Sequence, residues 1–134
     1  MNALRVLVVD DNEATLDLAV FVLRAAEFVV ESTSDSINAI LLVSIFRPDV
    51  ILMDIQMPGL DGIELTRQLK ADPSLRHIVV VAFTAFAMKG DEARMRAAGC
   101  DGYIAKPFDV TSFAQTVDSY AREFRDTRMQ ATRT

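Results

Sequence analysis

Strand-like and helix-like segments alternate five times along this chain, and few architectures admit that pattern. Parallel strands joined by right-handed helical crossovers, with helices on both faces of one sheet, satisfy it. Residues 4–9 are apolar and β-branched, as a buried strand requires. Asn12 is placed to cap a helix running to about residue 26. Residues 28–33 read as a second strand, and Ser34 or Asp35 caps a second helix that ends before Pro48. Residues 49–54 form a third strand. A turn at Met57-Pro58-Gly59 and a cap at Asp61 lead into a third helix, which Asp72-Pro73 breaks. Residues 77–84 form a fourth strand. A helix from about residue 88 to 98 stops at Gly99, a C-terminal glycine signal. Residues 103–105 make a short fifth strand, and Asp109 opens a last helix to about residue 124. Residues 1–125 are expected to be one domain and residues 126–134 a polar, frayed tail.

Four of the apolar runs, LRVLVVDD, DVILMD, HIVVVAFT and DGYIAK, end in polar residues suited to phosphate chemistry. Those ends carry Asp10 and Asp11, Asp54, Thr84, and Lys106. In an open parallel sheet the carboxyl ends of the strands form the ligand crevice, so these residues are expected to converge there. Each has a plain structural role available: an aspartate can cap a helix, a threonine can end a strand, a lysine can be solvated. Together they suit the binding of a hard divalent cation such as Mg2+ beside a carboxylate that accepts a phosphoryl group. Crowded carboxylates repel one another, and a cation relieves the repulsion. Lys106 supplies a further positive charge, and Pro107 after it admits a cis peptide that can aim the lysine.

Composition removes other classes. The 134 residues are 51% hydrophobic, enough for a sizeable core, and the net charge of −5 comes without a basic stripe. Direct nucleic-acid binding is therefore not expected. The lone Cys100 excludes an internal disulfide, and no apolar run approaches a membrane span. With no signal-peptide core at its start, the chain is expected to be cytoplasmic. A haloacid-dehalogenase phosphatase wants a second aspartate two residues after its nucleophile, where this chain has Gln56. Asp10-Asp11-Asn12 replaces the glycine fingerprint of a dinucleotide site, there is no P-loop, and acidic residues after the first strand would repel a flavin phosphate.

Asp10-Asp11, Asp54 within MDIQMPGLDG, Thr84-Ala85 and Lys106-Pro107, in this order and at these strand ends, resemble the receiver domain of two-component response regulators. The resemblance covers roughly residues 4–124. The segment TAFAMKGDEARMRAAGCDGYIAKP is similar to stand-alone, DivK-type receivers. It implies a flavodoxin-like (CheY-like) fold with strand order 2-1-3-4-5. It implies Asp54 as phosphoacceptor from a phosphohistidine on a histidine kinase or histidine phosphotransferase. Asp11 would bind Mg2+ directly, Asp10 partly through water, and the Gln56 backbone carbonyl would be a further ligand. Lys106 would pair with the phosphoryl group, while Thr84 and Tyr103 would form a switch pair that reports phosphorylation. The protein would then be a signalling switch, its own chemistry limited to phosphotransfer and autodephosphorylation.

Two apolar stripes run along the first helix: Leu18, Ala19, Val22 and Ala26, and Leu16, Val20 and Leu23. One must face the sheet; the other, taken here as the one bearing Leu16 and Val20, is available to dock a kinase helix bundle. Phe86, Ala87, Met88, Tyr103 and Phe108 surround the fourth helix and fifth strand, the face expected to meet a downstream protein. Without a further domain after residue 125, output is expected through protein contact, from a monomer or a weak phosphorylation-dependent dimer. A phosphate sink or relay, a phosphorylation-independent scaffold and a fragment of a larger regulator are the alternative readings. Gln56 and Phe86, each two residues beyond a site residue, flank the path of hydrolytic water, and the Phe86 ring is expected to shield an acyl phosphate. Phe86→Ala should shorten the half-life of the phosphorylated protein; an unchanged half-life removes the shielding role.

Overall fold

In a computed structural model, residues 3–55, 62–85 and 89–132 are described, without the side chains of residues 36, 89–91 and 124–132. The strands are β1 (Arg5–Val9), β2 (Val29–Thr33), β3 (Val50–Met53), β4 (Val79–Thr84) and β5 (Gly102–Ala105). They alternate with α1 (Glu13–Ala25), α2 (Ser36–Phe46), α3 (Gly62–Ala71), α4 (Lys89–Ala98) and α5 (Phe113–Thr132). All strand pairings are parallel, in the order β2-β1-β3-β4-β5. The expected class and strand order are both borne out.

Side-chain alternation sorts the core. Val6, Val8, Val50, Leu52, Val81 and Phe83 point to the face covered by α1 and α5, where Leu16, Leu23, Phe113 and Val117 meet them. Leu7, Val9, Ile51, Met53 and Val80 point to the opposite face, under Ala39, Val43 and Phe46 of α2 and Leu65 and Leu69 of α3. Every residue of β3 and β4 is buried, which explains their continuous apolar runs. β2 lies at an edge and is mostly exposed, which accommodates Glu31 and Ser32.

The helix ends follow local chemistry. The Asn12 side chain accepts from the Thr15 N–H at 3.0 Å, and Asp35, of the two candidates, caps α2 by accepting from Ile37 N–H at 2.8 Å. Gly99 at φ 109° ends α4, with its N–H on Arg96 O and that of Cys100 on Met95 O, both at 3.0 Å. α1 closes the same way, but Glu27 holds the left-handed position at φ 71°. Glu27 N–H donates to Arg24 O at 2.9 Å and Phe28 N–H to Leu23 O at 3.1 Å. At the end of α2 the Arg5 guanidinium donates to Phe46 O at 2.7 and 2.9 Å and lies 4.2 Å from the Phe46 ring centroid.

Two local readings change. Residues 110–112 form a turn, so α5 starts at Phe113, after Asp109 accepts from the Thr111 N–H and hydroxyl. Those two donors hold the Asp109 carboxyl below the ordinary aspartate range. α5 continues to Thr132 rather than ending near residue 124, because Arg, Met, Gln and Ala dominate there and neither glycine nor proline interrupts. Cys100 is partly buried, and burial pushes its thiol up. The expected turn at residues 57–59 and the Asp61 cap lie outside the described residues. Among the described residues, no helix is long and apolar enough to cross a membrane.

Just past α1, the Glu27 side chain opposes its left-handed backbone, so Glu27→Gly should stabilise the protein by about 0.5–1 kcal/mol. Urea denaturation checks this, with an unchanged m-value; a loss of stability contradicts it.

Candidate functional site

Adjacent strands deliver the acidic residues to one point. Val9 of β1 pairs in register with Met53 of β3, so the next residues, Asp10 and Asp54, leave the sheet side by side. Asp54 N–H donates to Val9 O at 2.9 Å and Asp10 N–H to Thr33 O at 3.2 Å, fixing both backbones. Asp10 and Asp54 are buried, while Asp11 is exposed. One carboxylate oxygen from each of the three lies within 4.8 Å of the others. This donor set is oxygen only and partly open, which fits a hard divalent cation that retains water.

Lys106 reaches the same point from across the sheet. β4 and β5 register Thr84 against Ala105, and Lys106 N–H donates to Thr84 O at 2.9 Å. Its ammonium donates to Asp10 at 2.7 Å and to Asp54 at 3.4 Å. The stem passes over the Phe83 ring, with Nζ 5.3 Å from the centroid. Phe83, Phe108 and Phe113 pack as a trio, with Phe108 stacked on Phe113 at 4.0 Å. The chain after Lys106 is thereby anchored to the core. The Lys106-Pro107 peptide is cis. The second oxygen of Asp10 accepts from Asn12 N–H at 2.9 Å, so this carboxylate also holds the start of the loop into α1.

The other expected residues divide. Thr84 is buried at the end of β4, and Ala85 beyond it is exposed, as is Pro107. Tyr103 is half-buried against the cluster of Ile55, Ile63, Ala82, Met95 and Ala98, with its hydroxyl oxygen buried. Its carbonyl accepts from the Tyr120 hydroxyl at 3.0 Å. Phe108 is half-buried and mainly a core wedge. Leu16 is corrected: at 6% exposure it packs in the core and cannot form a docking surface. The core-facing stripe is Leu16, Ala19 and Leu23, flanked by partly buried Val20 and Val22, so it draws on both expected stripes. Leu18 and Phe21 face outward instead, Phe21 at 72% exposure. Gln56, Phe86, Ala87 and Met88 lie outside the described residues.

Gly62 was not anticipated as a site residue. A Cβ there would stand 2.5 Å from Asp54 O and 2.8 Å from Ile55 Cα, both backbone atoms. The first turn of α3 therefore presses directly against the chain at Asp54, and only glycine permits that approach. Glycine at the start of a helix, where a better helix former would be expected, was the available signal.

Residues 6–118 match the response regulator receiver domain family. The polar-differentiation response regulator DivK of Brucella anthropi is 47% identical over 115 residues, which span 86% of this chain and 94% of that protein. The chemotaxis response regulator CheY4 of Vibrio cholerae shares the fold with a TM-score of 0.83 at 24% identity, over 89% of this chain and 99% of its own. The receiver domain of the sensor histidine kinase PA1611 from Pseudomonas aeruginosa, whose structure has a magnesium ion coordinated in the active-site cleft, is 31% identical. It superposes with a TM-score of 0.80 over 90% of this chain and 98% of its own. With the match running from β1 into α5, and the acidic crevice and its lysine in place, the chain belongs to the response regulator receiver domain family of two-component signalling.

Proposed function

We propose that this protein is a phosphorelay switch that takes a phosphoryl group onto Asp54 from the phosphohistidine of a histidine kinase or histidine phosphotransferase. The observation that carries this reading is the convergence of Asp10, Asp11 and Asp54 within 4.8 Å, with Lys106 bonded to two of them. A carboxylate oxygen of Asp54 attacks phosphorus, a P–O bond forms, the P–N bond breaks, and the departing imidazole nitrogen recovers a proton from solvent. Such transfer depends on positioning and charge neutralisation more than on covalent help. Asp10, Asp11 and Asp54, with the Gln56 carbonyl, would hold Mg2+, which would supply charge neutralisation for the phosphoryl oxygens. Lys106 stands within reach of the Asp54 carboxylate and supplies a second positive charge where negative charge builds.

Phosphorylation brings about −1.5 to −2 charges to an acidic crevice. The Thr84 hydroxyl, at the end of the neighbouring strand, turns toward the phosphoryl oxygens, and the Tyr103 ring, already packed against Ala82 and Met95, turns further inward. Contacts made only in the phosphorylated state bias the loop and the α4-β5-α5 face, where a groove is lined by Met95, Arg96, Cys100, Tyr103 and Tyr120. A downstream protein reads that face in the cytoplasm, with no direct nucleic-acid contact. The kinase or phosphotransferase docks beside the crevice on α1, where Leu18 and Phe21 replace Leu16 as apolar anchors and Val20 stays partly accessible.

With acetyl phosphate and Mg2+, intact-mass measurement should show one added phosphoryl group on the wild type and none on Asp54→Asn. Gly62→Ala should react at least several-fold more slowly, because its methyl displaces the chain at Asp54. Label retained by Asp54→Asn overturns the assignment of the acceptor, and an unaltered rate in Gly62→Ala overturns the positioning role.

A further inference from the structure

Helix α2 has no charged residue between Ser36 and Phe46 and is apolar on both sides. Its inner side is used: Ala39, Val43 and Phe46 are buried in the core and Leu42 packs beside them. Its outer side carries Ile37, Ile40, Leu41 and Ile45, exposed at 69%, 46%, 56% and 78%. Residues 37, 41 and 45 repeat at i, i+4 and i+8, so they form one straight stripe, widened by Ile40. A surface helix ordinarily turns polar residues to water on this side. The stripe exposes roughly 500 Å2 of apolar surface, near the upper end of what a monomer leaves bare.

We infer that this stripe is the interface of a two-fold dimer of the chain, with α2 of one copy packed antiparallel on α2 of the other. The charges flanking the stripe favour a second copy. Asp35 caps the helix N-terminus and exposed Arg47 its C-terminus, about 18 Å apart at 1.5 Å per residue. A two-fold axis through Leu41 brings Asp35 of each copy to Arg47 of the other, and the helix dipoles oppose favourably. The stripe itself carries no charge to repel its own copy, although the chain has a net charge of −5. Two stripes together cover about 1,000 Å2, at the lower limit for a specific interface, so the association is weak. The site residues are not part of this contact, so the dimer does not require phosphorylation, and the inference does not rest on the proposed phosphotransfer.

Sedimentation of the full chain from micromolar to several hundred micromolar tests it. The mass should rise from 14.8 kDa toward twice that value, and Ile45→Glu should weaken association at least tenfold while circular dichroism stays unchanged. Geometry is tested separately in a Cys100→Ala background. Leu41→Cys, beside the axis, should oxidise to a covalent dimer, because facing Cα atoms of close-packed helices approach within disulfide reach. Ile37→Cys should not cross-link to itself. A chain that stays at 14.8 kDa at every concentration, which would leave the stripe to a different protein, overturns the inference. So does dimerisation that Ile45→Glu leaves intact, or failure of Leu41→Cys to cross-link.

Discussion

The Lys106 ammonium stands 2.7 Å from an oxygen of Asp10 and 3.4 Å from one of Asp54, and both carboxylates are buried. Two ionised carboxylates at such range repel by about 3–4 kcal/mol at an effective dielectric near 20. A buried charge stripped of its partner costs roughly 3–5 kcal/mol. The crevice therefore holds its negative charge because the fifth strand end supplies a cation to the first and third. That delivery needs β5 in register with β4, β4 beside β3, and β3 beside β1. It also needs the aromatic trio under the lysine stem. The acid-lysine contact is local, but the sheet that creates it is the whole molecule.

The same sheet keeps stability and chemistry apart. The central strands are apolar throughout, and alternation sends their side chains into two cores of similar make-up. At the carboxyl ends of the strands the side chains turn polar, at Asp10, Asp54, Thr84 and Lys106. Gly62 joins the two regions, because α3 anchors into one core through Leu65 and Leu69 while its first residue touches the Asp54 carbonyl. Tyr103 links the crevice to the α4 side in a similar way, with its ring against Ile55 and Met95 and its carbonyl held by Tyr120.

Much of this was legible in the sequence because local chemistry decided it. Asn12, Asp35 and Gly99 act where their side chains or backbone freedom place them, and continuous apolar runs marked the fully buried strands. The carboxylates and lysine were legible as a set because parallel strands must share one carboxyl edge. The outward face of α1 was not legible, because apolar residues surround much of that helix. Its rotation is settled by packing under the sheet, which takes Leu16, Ala19 and Leu23 and leaves Phe21 outside. The preference of Lys106 for Asp10 over Asp54 is a matter of tenths of an ångström in three dimensions, beyond any spacing rule. Gly62 was hidden because its neighbour is backbone, which has no sequence signature.

Among the described residues, one cation-sized cluster of carboxylates stands at the strand ends, and Lys106 already draws on it. Mg2+ titration of the wild type and Lys106→Met, followed by calorimetry at fixed ionic strength, tests it most directly. Removing the ammonium frees Asp10 and deletes a like charge beside the incoming ion, so affinity should rise roughly tenfold. Equal or weaker Mg2+ binding in a folded Lys106→Met protein would show that the lysine and the cation do not compete for these carboxylates.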